Sequence, residues 1–277
     1  MSATVATAAM ATGTGGVARA RLSRLGGPLV SLLIFLGIWL AVSWGNRTVF
    51  PVFNPILLPT PMEVLQSGID AARDGSLQRD ILASLSRVFQ GFALAAISGV
   101  AAGIAVGTWK PLEWLVEPMI EMLRPIPPLA FLPMMVLWFG IGETSKIAFI
   151  TYAAFFPIFT TTLEGIKYVD PVLVRAASSL GATRMDMFRH VVLPAALPAI
   201  ITGLRLGFGL SFFVIVAAEF IAADSGLGYL INDARTFFMV SQMLMGAAVI
   251  GIIGFVFNAA LRALEARLLR WRVSTRG

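Results

Sequence analysis

The sequence predicts an all-α, polytopic membrane protein with about six transmembrane helices and a cytoplasmic two-helix loop between the fourth and fifth. Three observations carry this. Of 277 residues, 57% are hydrophobic and only 13% charged, with a mean hydropathy of +0.84, whereas a soluble domain carries about 25% charged residues. Apolar runs recur at the length of about 20 residues that a helix needs to cross a bilayer. Lysine and arginine fall unevenly on the loops between those runs.

Residues 1–27 begin with mostly Ala, Thr, Gly and Ser without a periodic apolar face, and read as a disordered tail ending in Arg19, Arg21 and Arg24. The first span is 28–44. A basic segment before an apolar run also describes a signal peptide, with Ala41-Val42-Ser43 as a weak cleavage site, but the length of the run and the spans that follow argue against it. Residues 45–80 form a polar segment in which Thr60-Pro61-Met62-Glu63 starts an amphipathic helix over roughly 61–74, lying on the membrane surface.

The core extends over 81–265. Its second span, near 82–107, is rich in small residues (Ala95, Ala96, Ser98, Gly99, Ala102, Gly103) that let helices approach closely in lipid. The third, 112–139, is broken by Pro125, Pro127, Pro128 and Pro133. Broken helices persist at membrane depth only where protein or a water-filled cavity satisfies the freed backbone, which places this segment along a pathway. A polar turn from Gly140 to Lys146 leads to the fourth span, 147–166. The loop 168–195 follows, then spans at 198–221 and 240–261 and a basic tail, 266–277. Leu261 to Arg272 reads as a basic amphipathic helix resting on anionic lipid.

An inside N-terminus gives the inner side Arg19, Arg21, Arg24, Lys110, Lys167, Arg175, Arg184, Arg189, Arg262, Arg267, Arg270 and Arg272. The outer side receives Arg47, Arg73, Arg79, Lys146 and Arg235. Both termini are therefore expected in the cytoplasm, with the 168–195 loop. This topological bias also accounts for the net charge of +6 without nucleic acid.

Residues 170–198 read DPVLVRAASSLGATRMDMFRHVVLPAALP. Asp170 is an N-cap, Pro171 the first helical residue, and Gly181 a left-handed stop after Leu180. Thr183 with Asp186 forms a capping box for a second short helix, which Pro194 and Pro198 end before the fifth span. Ala176, Ala177 and Ser178 give the hairpin a small-residue face around which a groove on another protein can close.

The pattern Ala176-Ala177, three residues, Gly181, nine residues, then Val191-Val192-Leu193-Pro194 resembles the EAA loop of ABC importer permeases, with Arg175 at the glutamate position and Val191 at the isoleucine position. Arg124-Pro125-Ile126-Pro127-Pro128-Leu129-Ala130 and Trp138-Phe139-Gly140-Ile141-Gly142-Glu143 resemble the permeases for taurine, alkanesulfonates and nitrate. So do Thr202-Gly203-Leu204-Arg205, Val216-Ala217-Ala218-Glu219 and Gly226-Leu227-Gly228, the taurine type being nearest.

The resemblance implies a permease subunit of the bacterial inner membrane that forms the pathway for a small anion. Arg175, Ala176, Ala177, Ser178, Gly181, Ala182, Thr183, Arg184, Leu193 and Pro194 would form the ATPase-coupling loop. Implied partners are two ATP-binding cassette subunits, a second permease copy, a periplasmic binding protein and the lipid membrane. ATP would be bound by the partner, with no cofactor in this chain. The residues agree: a phosphate loop needs Gly-Lys-Ser/Thr, and Lys110, Lys146 and Lys167 precede Pro, Ile and Tyr.

Pro125, Pro127, Pro128, Arg205 and Glu219 are the candidate pathway or gating residues. Glu219 sits near the end of an apolar span; direct binding of an anion by a carboxylate is electrostatically unfavourable, so a structural or gating role is expected. Arg205 lies 14 positions earlier, roughly 21 Å along the helix, and cannot reach it. Arg205 or Arg87 is a candidate guide for an anion, although snorkelling to the interface explains either equally well.

Other classes fit less well. An ion-coupled secondary transporter usually shows repeated halves with paired broken helices, and no repeat is evident. An enzyme would need a polar cluster near the membrane surface, for which Glu113, Glu117 and Glu121 are the nearest candidates. No cysteine is present. His190, the single histidine, fits a helix end, and Gly207-Phe208-Gly209 follows no strand and reads as close packing.

Overall fold

The structure, a computed structural model, describes residues 15–48 and 54–268. Among the described residues the secondary structure is helical, without strands. The chain divides into two compact units, Met1–Ser67 and Gly68–Gly277.

In the first unit, α1 runs over Gly15–Thr48, of which Val30–Thr48 is long and apolar enough to cross a membrane. The helix begins ahead of the expected first span, so residues 15–27 are helical and not the unstructured tail that the first residues suggested. Their Ala, Arg and Leu are good helix formers that run directly into the apolar stretch. Residues 1–14 and 49–53 lie outside the described residues. The expected start of α2 (Pro61–Arg73) is found: Glu63 accepts the Thr60 N–H at 2.8 Å and donates its own N–H to Thr60 Oγ1 at 3.4 Å. Arg47 grips both oxygens of Glu63 (2.8 and 2.7 Å), and Trp39 Nε1 donates to Pro59 O at 3.0 Å.

The Arg47 guanidinium, followed by the Thr60 N–H, holds the Glu63 carboxyl below the usual carboxylate range. A depressed folded-state value adds stability above the unfolded pKa of about 4.3 and loses it as pH falls through the folded value. Lowering the pH from 6 toward 3 should therefore loosen this corner. Thr60→Ala should cost about 1 kcal/mol, and hydrogen exchange at the first turn of α2 checks both.

In the second unit, α3 (Ser76–Thr108), α6 (Glu143–Lys167) and α9 (Leu193–Ala222) pack face to face, with α6 in the middle. Sequence explains the order. Gly91, Gly99, Gly103 and Gly107 lie on one face of α3 and meet Ile150, Ile158, Thr162 and Ile166, which share one face of α6. An added Cβ at Gly91 would sit 2.6 Å from Ile150 Cβ, and one at Gly103 would sit 2.7 Å from Thr162 Cβ. Toward α9, Gly165 of α6 meets Ala196 and Ala199, Gly203 meets Thr161, and Gly207 meets the far end of the same Ile158 that Gly99 touches, which thus lies between α3 and α9. Small residues let the backbones approach where lipid supplies no hydrophobic drive. The buried core includes Val88, Phe149, Ile150, Ala153, Phe208 and Val214, with the rings of Phe92, Phe212 and Phe257 set edge-on or tilted around Phe208.

The expected broken span is α4 (Lys110–Leu123), a 3₁₀ turn over Pro128–Phe131 and α5 (Leu132–Phe139), with the two pieces bent by 90°. Residues 110–123 stay helical through Pro118. The polar turn before the fourth span is shorter than expected, because α6 already starts at Glu143 and buries Ser145 and Lys146.

The loop holds α7 (Pro171–Ser179) and α8 (Arg184–Met187). Contrary to expectation, the second helix does not end before the fifth span. It passes through a π segment, Phe188–Val192, into α9, where the Leu193 N–H reaches Phe188 O. The wider turn shifts the hydrogen-bond register just ahead of Pro194, whose ring an uninterrupted α-helix would press against the preceding turn.

After α9 comes α10 (Leu227–Thr236), a short helix the sequence reading did not place, packed against α9 and α11 (Val240–Leu268). No break separates the last span from the expected basic helix at 261–272; α11 continues to Leu268, and residues 269–277 lie outside the described set. Five described helices are long and apolar enough to span a membrane, six with the broken one.

Candidate functional site

Two constructions stand out in the second unit: the exposed loop around α7 and α8, and a buried ionic network joining α3, α6 and α9.

In the loop, Asp170 accepts the Val172 N–H at 2.8 Å, so Pro171 starts α7 as expected. Gly181, at φ +78°, ends it: the Gly181 N–H reaches Ser178 O and the Ala182 N–H reaches Ala177 O, the double bond of a Schellman turn. The glycine is needed because the left-handed region strains other residues. Thr183 and Asp186 close the capping box. Arg175, Ala176 and Ser178 on α7 are exposed, Ala177 is half-buried, and Leu180 at the tip is 89% exposed. Val172, Leu173 and Met185 are exposed apolar neighbours. Ser178, Ala182, Thr183 and Arg184 line a cleft of about 530 Å³ together with Gly107, Thr108 and Ile166 at the ends of α3 and α6. Leu193 packs with Phe188 and Val192 against buried Ile166, Ala196 and Ile200, so the Val-Val-Leu-Pro stretch anchors the loop to the helix bundle. Pro194 lines a second cleft with Asp170, Leu173 and Tyr168. The structure thus presents Arg175, Ala176, Ser178 and Gly181 on the exposed hairpin and sets Leu193 apart, at its anchor on the bundle.

The network centres on Arg87, 3% exposed on α3. Its Nε and Nη2 bind both oxygens of Glu143 (2.6 and 2.7 Å), Nη1 binds Glu219 (2.7 Å) and Ser225 O (2.6 Å), and Nη2 also reaches Ser225 Oγ (3.1 Å). The donors of the guanidinium are thereby taken up. Glu219, 1% exposed, also accepts from Ser84 Oγ (2.8 Å) and the Gly228 N–H (2.8 Å). Asp80 accepts the Gly226 N–H at 3.0 Å, Ser84 Oγ accepts the Leu227 N–H at 2.8 Å, and Lys146 pairs with Glu143 at 2.9 Å. Gly226 holds φ +118°, where a side chain would run into the Glu219 carboxylate and Arg87. The network therefore clamps the α9–α10 connection onto the Ser76 end of α3. Glu219, expected in a structural or gating role, is thereby held by Arg87, Ser84 and the Gly228 N–H.

The other pathway candidates are placed apart. Arg205 pairs with Glu265 of α11 at 2.8 Å and does not meet Glu219. Both arginines suggested as anion guides, Arg87 and Arg205, thus hold carboxylates. Pro125, Pro127 and Pro128 form the exposed or half-exposed break between α4 and α5. Glu113 and Glu117 hold Lys167 at 2.7 and 2.9 Å, so that row of glutamates ties α4 to the end of α6. Asp80, Ser84 and Glu143 escaped the sequence reading. A signal was present: Asp80, Ser84, Arg87 and Gly91 repeat at helical spacing on the face of α3 that carries the glycine stripe.

A bundle of apolar spans, one of them broken, with an exposed capped hairpin between two of them, is the architecture of a membrane transport subunit. Residues 91–270 match the family of binding-protein-dependent transport system inner membrane components, and the chain belongs to that family. It is similar to the taurine transport system permease protein TauC of Escherichia coli, with 43% identity over 85% of this chain and 87% of that protein. The nitrate import permease protein NrtB of Synechocystis is 33% identical over 86% and 87% of the two chains. Among solved structures, an amino acid ABC transporter chain superposes with a TM-score of 0.60 at 20% identity, covering 74% of this chain and 96% of that one. The chain is accordingly a permease subunit of an ATP-driven importer, a transport component and not an enzyme.

Proposed function

We propose that this chain forms the translocation pathway for a small sulfonate of the taurine kind, and that the loop 170–194 transmits the work of a separate ATPase. The likeness to TauC supports the substrate class; the nitrate permease likeness supports the alternative of a simple inorganic anion. The observation that carries the coupling role is the loop itself: a capped, glycine-stopped hairpin that exposes Leu180, Val172 and Leu173 beside Arg175 and Arg184, with its far end locked to the bundle through Leu193. Exposed apolar residues rimmed by charge mark a surface for a protein partner.

In this reading two ATP-binding cassette subunits grip the loops of two permease copies, themselves a homodimer. Closure on ATP moves the loop, and continuity through the π segment into α9 passes that movement to the pathway. A periplasmic binding protein delivers the substrate. The termini lie in the cytoplasm, and no cofactor binds this chain. Arg175, in place of the family's glutamate, turns a cationic side chain toward the ATPase groove.

The test is ATPase activity and co-purification of the transporter with wild-type loop or with Gly181→Trp. Nothing lies within 4 Å of a Cβ at Gly181, so the side chain leaves the backbone into open space, while the φ of +78° strains it; the strain is about 1–2 kcal/mol. The expected result is a folded permease that no longer holds its ATPase. An intact complex with undiminished substrate-stimulated hydrolysis would assign coupling elsewhere.

A further inference from the structure

Resting on the reading of a sulfonate permease, we infer that the Tyr152 hydroxyl is a hydrogen-bond donor to the oxyanion in transit, covered in this conformation by the break in the third span.

Two buried hydroxyls, on Tyr152 and Thr162, have no hydrogen-bond partner among the described residues. Thr162 is fully buried in the α3–α6 seam, with its Cβ and Cγ2 against Gly103, where a ligand has no room. Tyr152 stands elsewhere. Its ring centre lies 4.8 Å from that of Phe131, the last residue of the 3₁₀ turn in the broken span, and 5.1 Å from that of Phe156. That turn packs against both α6 and α9. A buried tyrosine ordinarily finds a partner for its hydroxyl, and a buried donor without one lowers stability. Phenylalanine would fill the place of the ring without that cost, so packing alone does not account for the hydroxyl.

The row of α6 that carries Tyr152 leads to open space. Tyr152, Phe156, Thr160, Glu164 and Tyr168 follow one another at four-residue spacing, as one ridge of the helix. The first three are half-buried, while Glu164 and Tyr168 are exposed. Thr160, Glu164 and Tyr168 line a cleft at the Lys167 end of α6. Tyr152 therefore sits at the covered head of this ridge, roughly 24 Å along the helix from Tyr168, with Phe131 against its ring. A passage that opens at the cleft and ends under the break has this hydroxyl at its closed end. Movement of the broken span, whose two pieces meet at 90°, uncovers it. A neutral O–H donates to a sulfonate oxygen without a fixed counter-charge, so the anion is held briefly and released.

The experiment compares wild type with Tyr152→Phe, which keeps the ring and loses only the donor. Uptake of labelled taurine by the complete transporter in proteoliposomes is measured beside thermal unfolding and basal ATP hydrolysis of the same preparations. Uptake should fall about tenfold or more, the size of a hydrogen bond to a charged group. The unfolding temperature should stay equal or rise, and basal hydrolysis should not change. A merely structural hydroxyl would lower the unfolding temperature along with uptake. Undiminished uptake therefore overturns the transit contact, and so does a lower unfolding temperature or a lost complex, either of which gives the hydroxyl a partner in the resting fold. Taurine uptake by the wild type leaves the permease reading standing in each of these cases. Absence of sulfonate uptake by the wild type instead overturns the substrate reading, and the transit contact with it.

Discussion

Replacing Glu219 by alanine is expected to cost about 3–5 kcal/mol, because removing one member of a buried ion pair leaves the other charge uncompensated. Three groups lose their acceptor at once: the Arg87 Nη1–H, the Ser84 hydroxyl and the Gly228 N–H. The neighbouring Glu143 cannot take over, since it is already held by Arg87 Nε and Nη2 and by Lys146. The clamp on residues 225–228 should open, and α10 with it. Thermal unfolding in detergent should show a large drop for Glu219→Ala and a smaller one for Glu219→Gln, which keeps the shape and an accepting oxygen. Protection of the Gly226, Leu227 and Gly228 amides in hydrogen exchange locates the damage. If Glu219→Ala unfolded within about 1 kcal/mol of the wild type, the size of an ordinary hydrogen bond, the carboxylate would have to be assigned to transport chemistry.

The second large effect is expected at Gly103. A leucine there places its Cβ 2.7 Å from Thr162 Cβ and 3.0 Å from the Phe159 carbonyl oxygen. The latter is backbone, so no rotamer change relieves it. Overpacking of this kind typically costs about 1–3 kcal/mol and more where backbone is struck. In lipid, the close approach given up is itself the source of helix association. Gly103→Leu should thus separate α3 from α6 and lose the assembled permease, whereas Gly251→Leu, with nothing within 4 Å of its Cβ, should be accepted. Equal yields and equal melting of the two variants would show that the α3–α6 seam tolerates expansion.

Much of this was legible in the sequence. The number of spans follows from apolar runs of membrane length, since no lipid-exposed segment can leave its backbone unpaired. The loop was legible almost residue by residue: Asp170, Pro171, Gly181, Thr183 and Asp186 act on backbone groups within a few positions of themselves, so their meaning is local. The unbroken passage from Arg184 into α9 was not, because Pro194 signals a break in sequence terms, and a π turn that accommodates it costs only one shifted hydrogen bond.

The partners of charges were decided by the fold alone. Glu219 and Arg87 are separated by 132 residues, and Arg205 and Glu265 by 60. Nothing in local propensity encodes such pairings. They arise because the glycine stripe on α3 and the small residues of α9 set both helices close against α6, which brings the polar ends of all three to the same level. The sequence determined by itself what must be buried in lipid, where the chain breaks and how the loop is capped, since these depend on burial cost and short-range hydrogen bonds. The tertiary structure decided which ionisable groups neutralise one another, since that depends on distances only helix packing sets.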